Sequence, residues 1–258
     1  MFKKNFKNKL KELGIPLLFL VGGFLIWEIA VSVLALPEFI LPKPSKIIFE
    51  IINQFKFFLP HLGITMLSTV TGYFIAFLLS FILAVIFVHS KTIERGLYPY
   101  AIAIRVAPIL ALAPLVVLWF GIGITSKIVI VVLICFFPLL VNTTQGLKTA
   151  DEKALELLNS LSASKWQIFI KLRLPSSLPF IFPALKISSA LALTGAFVGE
   201  FLAADQGIGY LILLHTRTFD TTTAMAALLL MVLTGIFFFL LISFIENKVV
   251  FWQKPERI

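Results

Sequence analysis

The chain has 258 residues, 59% of them hydrophobic and only 14% charged, against about 45–50% and about 25% in a soluble domain, so a water-soluble globule is excluded. Its mean hydropathy of +1.02 points to one integral membrane domain. The net charge of +9 does not call for nucleic acid, because basic loops orient membrane helices, and one cysteine (Cys135) with three scattered histidines (His61, His89, His215) offers neither a disulfide nor a metal-binding spacing.

The N-terminus carries Lys3, Lys4, Lys7, Lys9 and Lys11, followed by an apolar run over 15–36. A cleaved signal peptide has an apolar core of about 7–15 residues. This run is about 20 residues long, the length that crosses a bilayer as a helix, and reads as an uncleaved first span over 15–34. Pro37, Pro42 and Pro44 make the next stretch extended. Ser45 is placed to cap a short helix over 46–58 whose apolar and charged residues alternate at helical spacing, suited to the membrane surface. Further spans are expected over 64–88, 99–120, 124–147, 178–203 and 224–245. Pro108 and Pro114 interrupt the third and Pro138 lies in the fourth. Proline removes a backbone donor and kinks a helix. Such bends suit a protein that opens and closes, but prolines are also common in membrane helices.

Charge fixes the expected orientation. With both termini inside, the cytoplasmic segments hold fifteen Lys and Arg, and the outer segments hold five: Lys43, Lys46, Lys56, Lys127 and Arg217. An even number of spans follows, and the connection over 148–175 becomes cytoplasmic. That connection is long for a compact protein. Ala154, Leu155, Leu157, Leu158 and Leu161 fall on one face of a helix, and Asp151 and Glu152 sit where the helix dipole favours acids. A second helix begins near Ser164 with Trp166, Ile168, Phe169 and Leu172. The pair presents an amphipathic face, either to a protein partner or to lipid headgroups.

The spacing in this segment resembles the cytoplasmic signature of permeases in binding-protein-dependent ABC importers: Glu-Ala-Ala, three residues, Gly, nine residues, then Ile-x-Leu-Pro. Here Glu156 takes the Glu position, Leu157 and Leu158 the Ala positions, Ser162 the Gly position, Leu172 the Ile position, and Leu174 and Pro175 close the motif. Serine suits that turn only where the backbone avoids strongly positive φ. Ala163 to Phe169, with Trp166 among them, is similar to the family's usual wording after the signature. Leu118-Trp119-Phe120-Gly121, Phe136-Phe137-Pro138, Gly199-Glu200-Phe201, Gly207-Ile208-Gly209-Tyr210-Leu211 and Leu41-Pro42-Lys43-Pro44-Ser45 resemble the nitrate/sulfonate/taurine branch, which includes importers of pyrimidine-type vitamin precursors.

The resemblance implies an all-α membrane protein of about six spans, the type I ABC importer permease fold, with a coupling helix between spans four and five. On that reading 1–60 is an N-terminal span with an amphipathic segment, 61–248 the transmembrane domain and 249–258 a cytoplasmic tail. Glu156, Leu157, Leu158, Ser162, Ala163, Trp166, Leu174 and Pro175 would meet a cytoplasmic ATP-binding subunit. The chain lacks a phosphate-binding Gly-x-x-x-x-Gly-Lys-Ser/Thr loop, so ATP and Mg would belong to that partner and the chain would not be an enzyme. One coupling loop per chain implies a second copy of the permease, and an extracytoplasmic binding protein would deliver the solute. The location would be a bacterial inner membrane, multi-pass, with both termini cytoplasmic.

Arg105, Lys186, Glu200 and Glu28 lie in or near apolar stretches. A charge at a span's centre costs at least about 2.5–3.5 kcal/mol, so such residues face protein or a watery path. Glu200 and Arg105, with Thr194 and Trp119, are candidates for a translocation path; the same charges also suit structural pairing with each other. An ion-coupled secondary transporter is the competing reading, but it predicts internal symmetry, and no repeat relates the two halves.

Overall fold

The computed structural model describes residues 2–203 and 205–252, with side chains from residue 14 onward except at 203. The side chains of Lys3 to Lys11, and the expected tail beyond residue 252, lie outside the described residues. Every regular element among the described residues is helical: α1 (Phe2–Val33), α2 (Pro44–Asn53), α3 (Phe55–His89), α4 (Lys91–Val106), α5 (Ile109–Phe120), α6 (Ile124–Lys148), α7 (Glu152–Ser160), α8 (Lys165–Ile168), a π-turn (Phe169–Arg173), α9 (Leu174–Ala203), α10 (Ile208–Arg217) and α11 (Thr221–Val249).

Five helices are long and apolar enough to cross a membrane, and α4 with α5 passes the same test only as a pair, bent by 100° at the break between them. The third span, expected over 99–120 with interruptions at Pro108 and Pro114, starts earlier, at Lys91, and is broken at the first of these prolines only. Ala107 is extended (φ −60, ψ 128), because the ring of Pro108 excludes the helical region for the residue before it. Pro114 stays inside α5. At 12 residues α5 is about 18 Å long, too short to cross a core of about 30 Å alone.

The centre of the molecule is α3, α6 and α9, with α11 against them. Between lipid-embedded helices close packing replaces the hydrophobic drive, so small residues sit at the contacts. Gly72 of α3 and Gly195 of α9 press on Val131 of α6 from two sides. A Cβ on Gly72 would lie 2.6 Å from Val131 Cβ, and one on Gly195 2.9 Å from Val131 Cα. Tyr73, Ala76, Cys135, Leu139, Ala192, Ala196 and Phe238 complete this core. Hydrogen bonds cross it: the Tyr73 hydroxyl donates to the Leu185 carbonyl (3.0 Å) and Ser80 Oγ to the Phe136 carbonyl (2.8 Å).

Further expectations need correction. Ser45 does not cap α2; Lys43 occupies that position with Pro44 in the first turn. Ser45 instead donates its N–H (3.0 Å) and its hydroxyl (2.8 Å) to the Glu28 carboxylate, fastening the otherwise exposed α1 to α2. The surface helix ends at Asn53, and residues 55–63 belong to the second span's own helix. Lys127 is not an outer-loop residue; it lies in the first turn of α6 and is buried. No expectation anticipated α10.

Three helices end on a non-glycine residue of positive φ: Ala35 (47°), Ser162 (55°) and Phe219 (58°). Each is closed by a bond from the next residue back to the last turn, Leu36 to Val31, Ala163 to Leu158 and Asp220 to His215. Ser162 therefore does adopt the conformation it was expected to avoid.

Candidate functional site

The segment over 148–175 folds as its periodicity predicts, with one difference. Asp151 caps α7 by accepting the Ala154 N–H (3.2 Å). Ser164 and Gln167 cap α8 reciprocally, at 3.3 and 2.8 Å. The apolar set does not all face one way. Ala154, Leu155 and Leu158 are partly shielded, Leu155 on the side of a cleft, whereas Leu157 and Leu161 are 60% and 68% exposed. Trp166 is 68% exposed and stacks on the buried Phe169, ring centroids 5.8 Å apart. Glu156 is exposed on α7, with no ion pair or side-chain hydrogen bond among the described residues.

Leu174 and Pro175 begin α9 through the π-turn, in which the Leu174 N–H reaches back five residues to the Phe169 carbonyl. Arg173 donates to the Leu147 carbonyl at 3.1 Å, tying the segment's exit to the end of α6. A cleft of about 300 Å³ behind α7 is lined by His89, Asn159, Lys165 and Arg173 among others. The arrangement offers the exposed carboxylates Asp151, Glu152 and Glu156, an apolar ridge and a cationic cleft. That is binding chemistry, with no nucleophile and base set for bond making.

The opposite end of the bundle holds a second polar cluster, and its chemistry is enclosed. Glu200 is completely buried. The Thr65 hydroxyl lies 2.9 Å from each of its carboxylate oxygens, and the Gly209 N–H donates to Oε2 at 2.9 Å. Thr65 also accepts the Ile208 N–H (2.9 Å), and His61 Nδ1 accepts the Gly207 N–H (3.1 Å). Lys127 donates to the Gln206 carbonyl at 2.7 Å. Gly207 has φ +119, and a Cβ there would lie 2.2 Å from Glu200 Cδ, so both its conformation and its contact require glycine. Sequence reasoning singled out Glu200 and quoted Gly207 to Leu211 but missed His61, Thr65 and Lys127 as its neighbours. The available signal was the run of small polar residues Thr65, Ser68 and Thr69 on an otherwise apolar span.

The other intramembrane residues do not gather around Glu200. No hydrogen bond or ion pair joins Arg105 to Glu200 among the described residues. The Arg105 guanidinium lies 4.9 Å from the Phe137 ring centroid. Lys186 pairs with Glu246 at 2.7 Å. Thr194 is exposed on a stripe of α9 with Pro183, Ile187 and Ala190, while Trp119 is 68% exposed on α5. Beyond the spans, Asp220 caps α11 by accepting the Thr223 N–H (3.2 Å) and pairs with His215 (3.0 Å). Partial burial pushes the Asp220 carboxyl up, but the bonds from Thr223 and His215 outweigh it and hold it below the usual range.

Comparison with known proteins addresses the chain as a whole. Residues 76–251 match the family of binding-protein-dependent transport system inner membrane components. The formylaminopyrimidine transport permease protein ThiX of Halalkalibacterium halodurans is 36% identical over 93% of this chain and 96% of its own length. The riboflavin transport system permease protein RibX of Chloroflexus aurantiacus is 31% identical over 93% and 90%. The putative aliphatic sulfonates transport permease protein SsuC of Bacillus subtilis is 28% identical over 89% and 84%. Among solved structures, the inward-facing MetNI methionine ABC transporter superposes with a TM-score of 0.61 at 18% identity, covering 74% of this chain and 93% of that one. An amino acid ABC transporter gives 0.64 at 17%, covering 78% and 97%. At those identities the likeness is one of fold.

Proposed function

Because this chain belongs to the inner membrane components of binding-protein-dependent transport systems, we propose that it carries a small solute from an extracytoplasmic binding protein to the cytoplasm, driven through the α7–α8 segment. It is the membrane permease subunit of an ATP-driven importer, and ATP hydrolysis belongs to a separate subunit. The carrying observation is the exposed set Glu156, Leu157, Leu161 and Trp166 on a segment fastened to the spans at its exit, where Arg173 bonds the end of α6 and the π-turn runs into α9. An exposed apolar ridge on an acidic helix is a docking surface for a basic, apolar groove. Leu158, Ser162 and Ala163 shape the turn beneath it. Leu174 and Pro175 pass its displacement into α9.

Both termini lie in the cytoplasm on this reading, which places α7 and α8 with the ATP-binding subunits and the Glu200 cluster at the outer face. ATP and Mg are held by the partner. Two ATP-binding subunits require two such segments, so the working unit is a homodimer. The stripe of Pro183, Ile187, Ala190 and Thr194 supports this. It is exposed on a helix otherwise deeply packed, which suits a face meeting a second copy around a central path. Arg105, Trp119 and Thr194 line that path.

The solute is a planar nitrogen heterocycle of the aminopyrimidine kind. Two relatives covering 93% of this chain at 31% identity or more are named for heterocycle transport. Proteoliposomes holding the permease, its ATP-binding subunit and its binding protein should accumulate a labelled formylaminopyrimidine only with ATP. Uptake of taurine or nitrate in its place overturns the substrate class, and uptake without the ATP-binding subunit overturns the mechanism.

A further inference from the structure

Four consecutive residues, Gln206 to Gly209, are each fastened to a side chain from a span. Lys127 of α6 holds the Gln206 carbonyl, and His61 of α3 the Gly207 N–H. Thr65 of α3 holds the Ile208 N–H, and Glu200 of α9 the Gly209 N–H. Every one of these bonds is between 2.7 and 3.1 Å. Glu200 is the hub. It binds Thr65 as well as Gly209, and the Gly207 backbone lies against its carboxyl group so closely that no side chain fits between them. A buried charge of this kind is costly unless its hydrogen bonds are satisfied, and here Thr65 of α3 and the Gly209 N–H of the segment supply them. The segment leads directly into α10, whose far end exposes Arg217 and Phe219 beside the entry to α11.

We propose that Glu200 is a positioning residue: it latches the 206–209 segment to α3, α6 and α9, so that α10 follows the central spans as one body when the outer mouth opens and closes. This rests on the importer reading for the side of the membrane on which the latch lies. It departs from a cargo-contacting role, because a carboxylate with no exposed surface and its oxygens already engaged has nothing to offer a solute. The latch transmits binding-protein docking on the outer face to the spans without touching what is carried.

The test uses the full complex in proteoliposomes, in a Cys135→Ser background carrying Ile208→Cys. Ile208 is fully buried at the latch, so with Glu200 intact a membrane-impermeant maleimide added outside should label it slowly. In Glu200→Ala the labelling rate should rise at least about tenfold as the segment opens locally. Stimulation of hydrolysis by the loaded binding protein should fall in parallel, with unstimulated hydrolysis preserved. Glu200→Gln, which keeps the shape and one acceptor oxygen, should restore part of both. Unchanged labelling in Glu200→Ala overturns the latch, as does lost stimulation with the segment still protected. If Glu200→Ala does not assemble, Thr65→Val removes the hydroxyl at nearly equal volume and decides by the same two measurements. A wrong importer reading would show separately, as an absence of binding-protein-stimulated hydrolysis in the unaltered complex.

Discussion

Glu200 and Glu156 are both carboxylates on helices of one chain, and their surroundings could hardly differ more. Glu200 has no exposed surface, a hydroxyl against both oxygens and a backbone N–H on one of them. Glu156 stands in the open on the segment that exposes Leu157, Leu161 and Trp166, with no ion pair or side-chain hydrogen bond among the described residues. The first is a completed structure and the second a half of one. A completed polar site resists change through stability; a half-site resists it through association. The two should therefore fail in different assays when they are altered.

The largest effect is expected at the closed end. Gly207→Ala adds a Cβ 2.2 Å from the Glu200 carboxyl carbon at a φ of +119. Strain and overpacking together should cost about 3 kcal/mol, seen as a lower unfolding temperature of the detergent-solubilised permease. An unchanged temperature would mean that the 206–209 segment is not held as described. At the open end Glu156→Lys should leave that temperature alone. It should weaken capture of the ATP-binding subunit at least about tenfold, or about 1.4 kcal/mol. If the variant loses thermal stability instead, the contrast between the ends collapses.

Ser162→Gly should sharpen the contrast by acting only on the open segment. Ser162 adopts a φ of 55°, and replacing it with glycine should relieve about 1 kcal/mol, read as slower amide hydrogen exchange across α7. Faster exchange would show that the turn prefers its serine. The smallest effect concerns Asp220. Its folded carboxyl titrates below the usual range, so its contribution to stability is complete above about pH 4, the unfolded value, and is lost as pH falls through the lower folded one. Asp220→Asn should lower stability slightly at neutral pH and flatten the acid limb, the two curves converging below about pH 4 where the Asp220 carboxyl is itself protonated.

How much of this was legible in the sequence follows the same division. The α7–α8 segment could be read because its determinants are local. Asp151, Ser164 and Gln167 cap within three residues, and the apolar spacing is that of one helix. Only the splitting of the apolar face, with Leu158 turned inward and Leu157 outward, awaited the fold. The spans were legible by length and hydropathy. The 100° bend was not, because Pro108 marks a break without giving its angle. The Glu200 cluster was illegible for a different reason. Thr65 lies 135 residues away in sequence, and no local pattern pairs them. Glu28 and Ser45 met in the same way, across 17 residues and an extended linker.

One element belongs to both regions. α3 carries His61 and Thr65 at the latch, and 28 residues later His89, whose ring centroid lies 6.4 Å from that of Phe169 beneath the docking ridge. At 1.5 Å per residue those two histidines are about 42 Å apart on a single unbroken helix. Such a rod acts as a lever with its fulcrum at the pinched contact of Gly72 on Val131. A tilt of about five degrees there would swing the His61 end by roughly 1.4 Å and the His89 end by roughly 2.2 Å in opposite senses. The two ends of the molecule are thus joined by one stiff arm, and its geometry alone sets how far one must travel for the other to feel it.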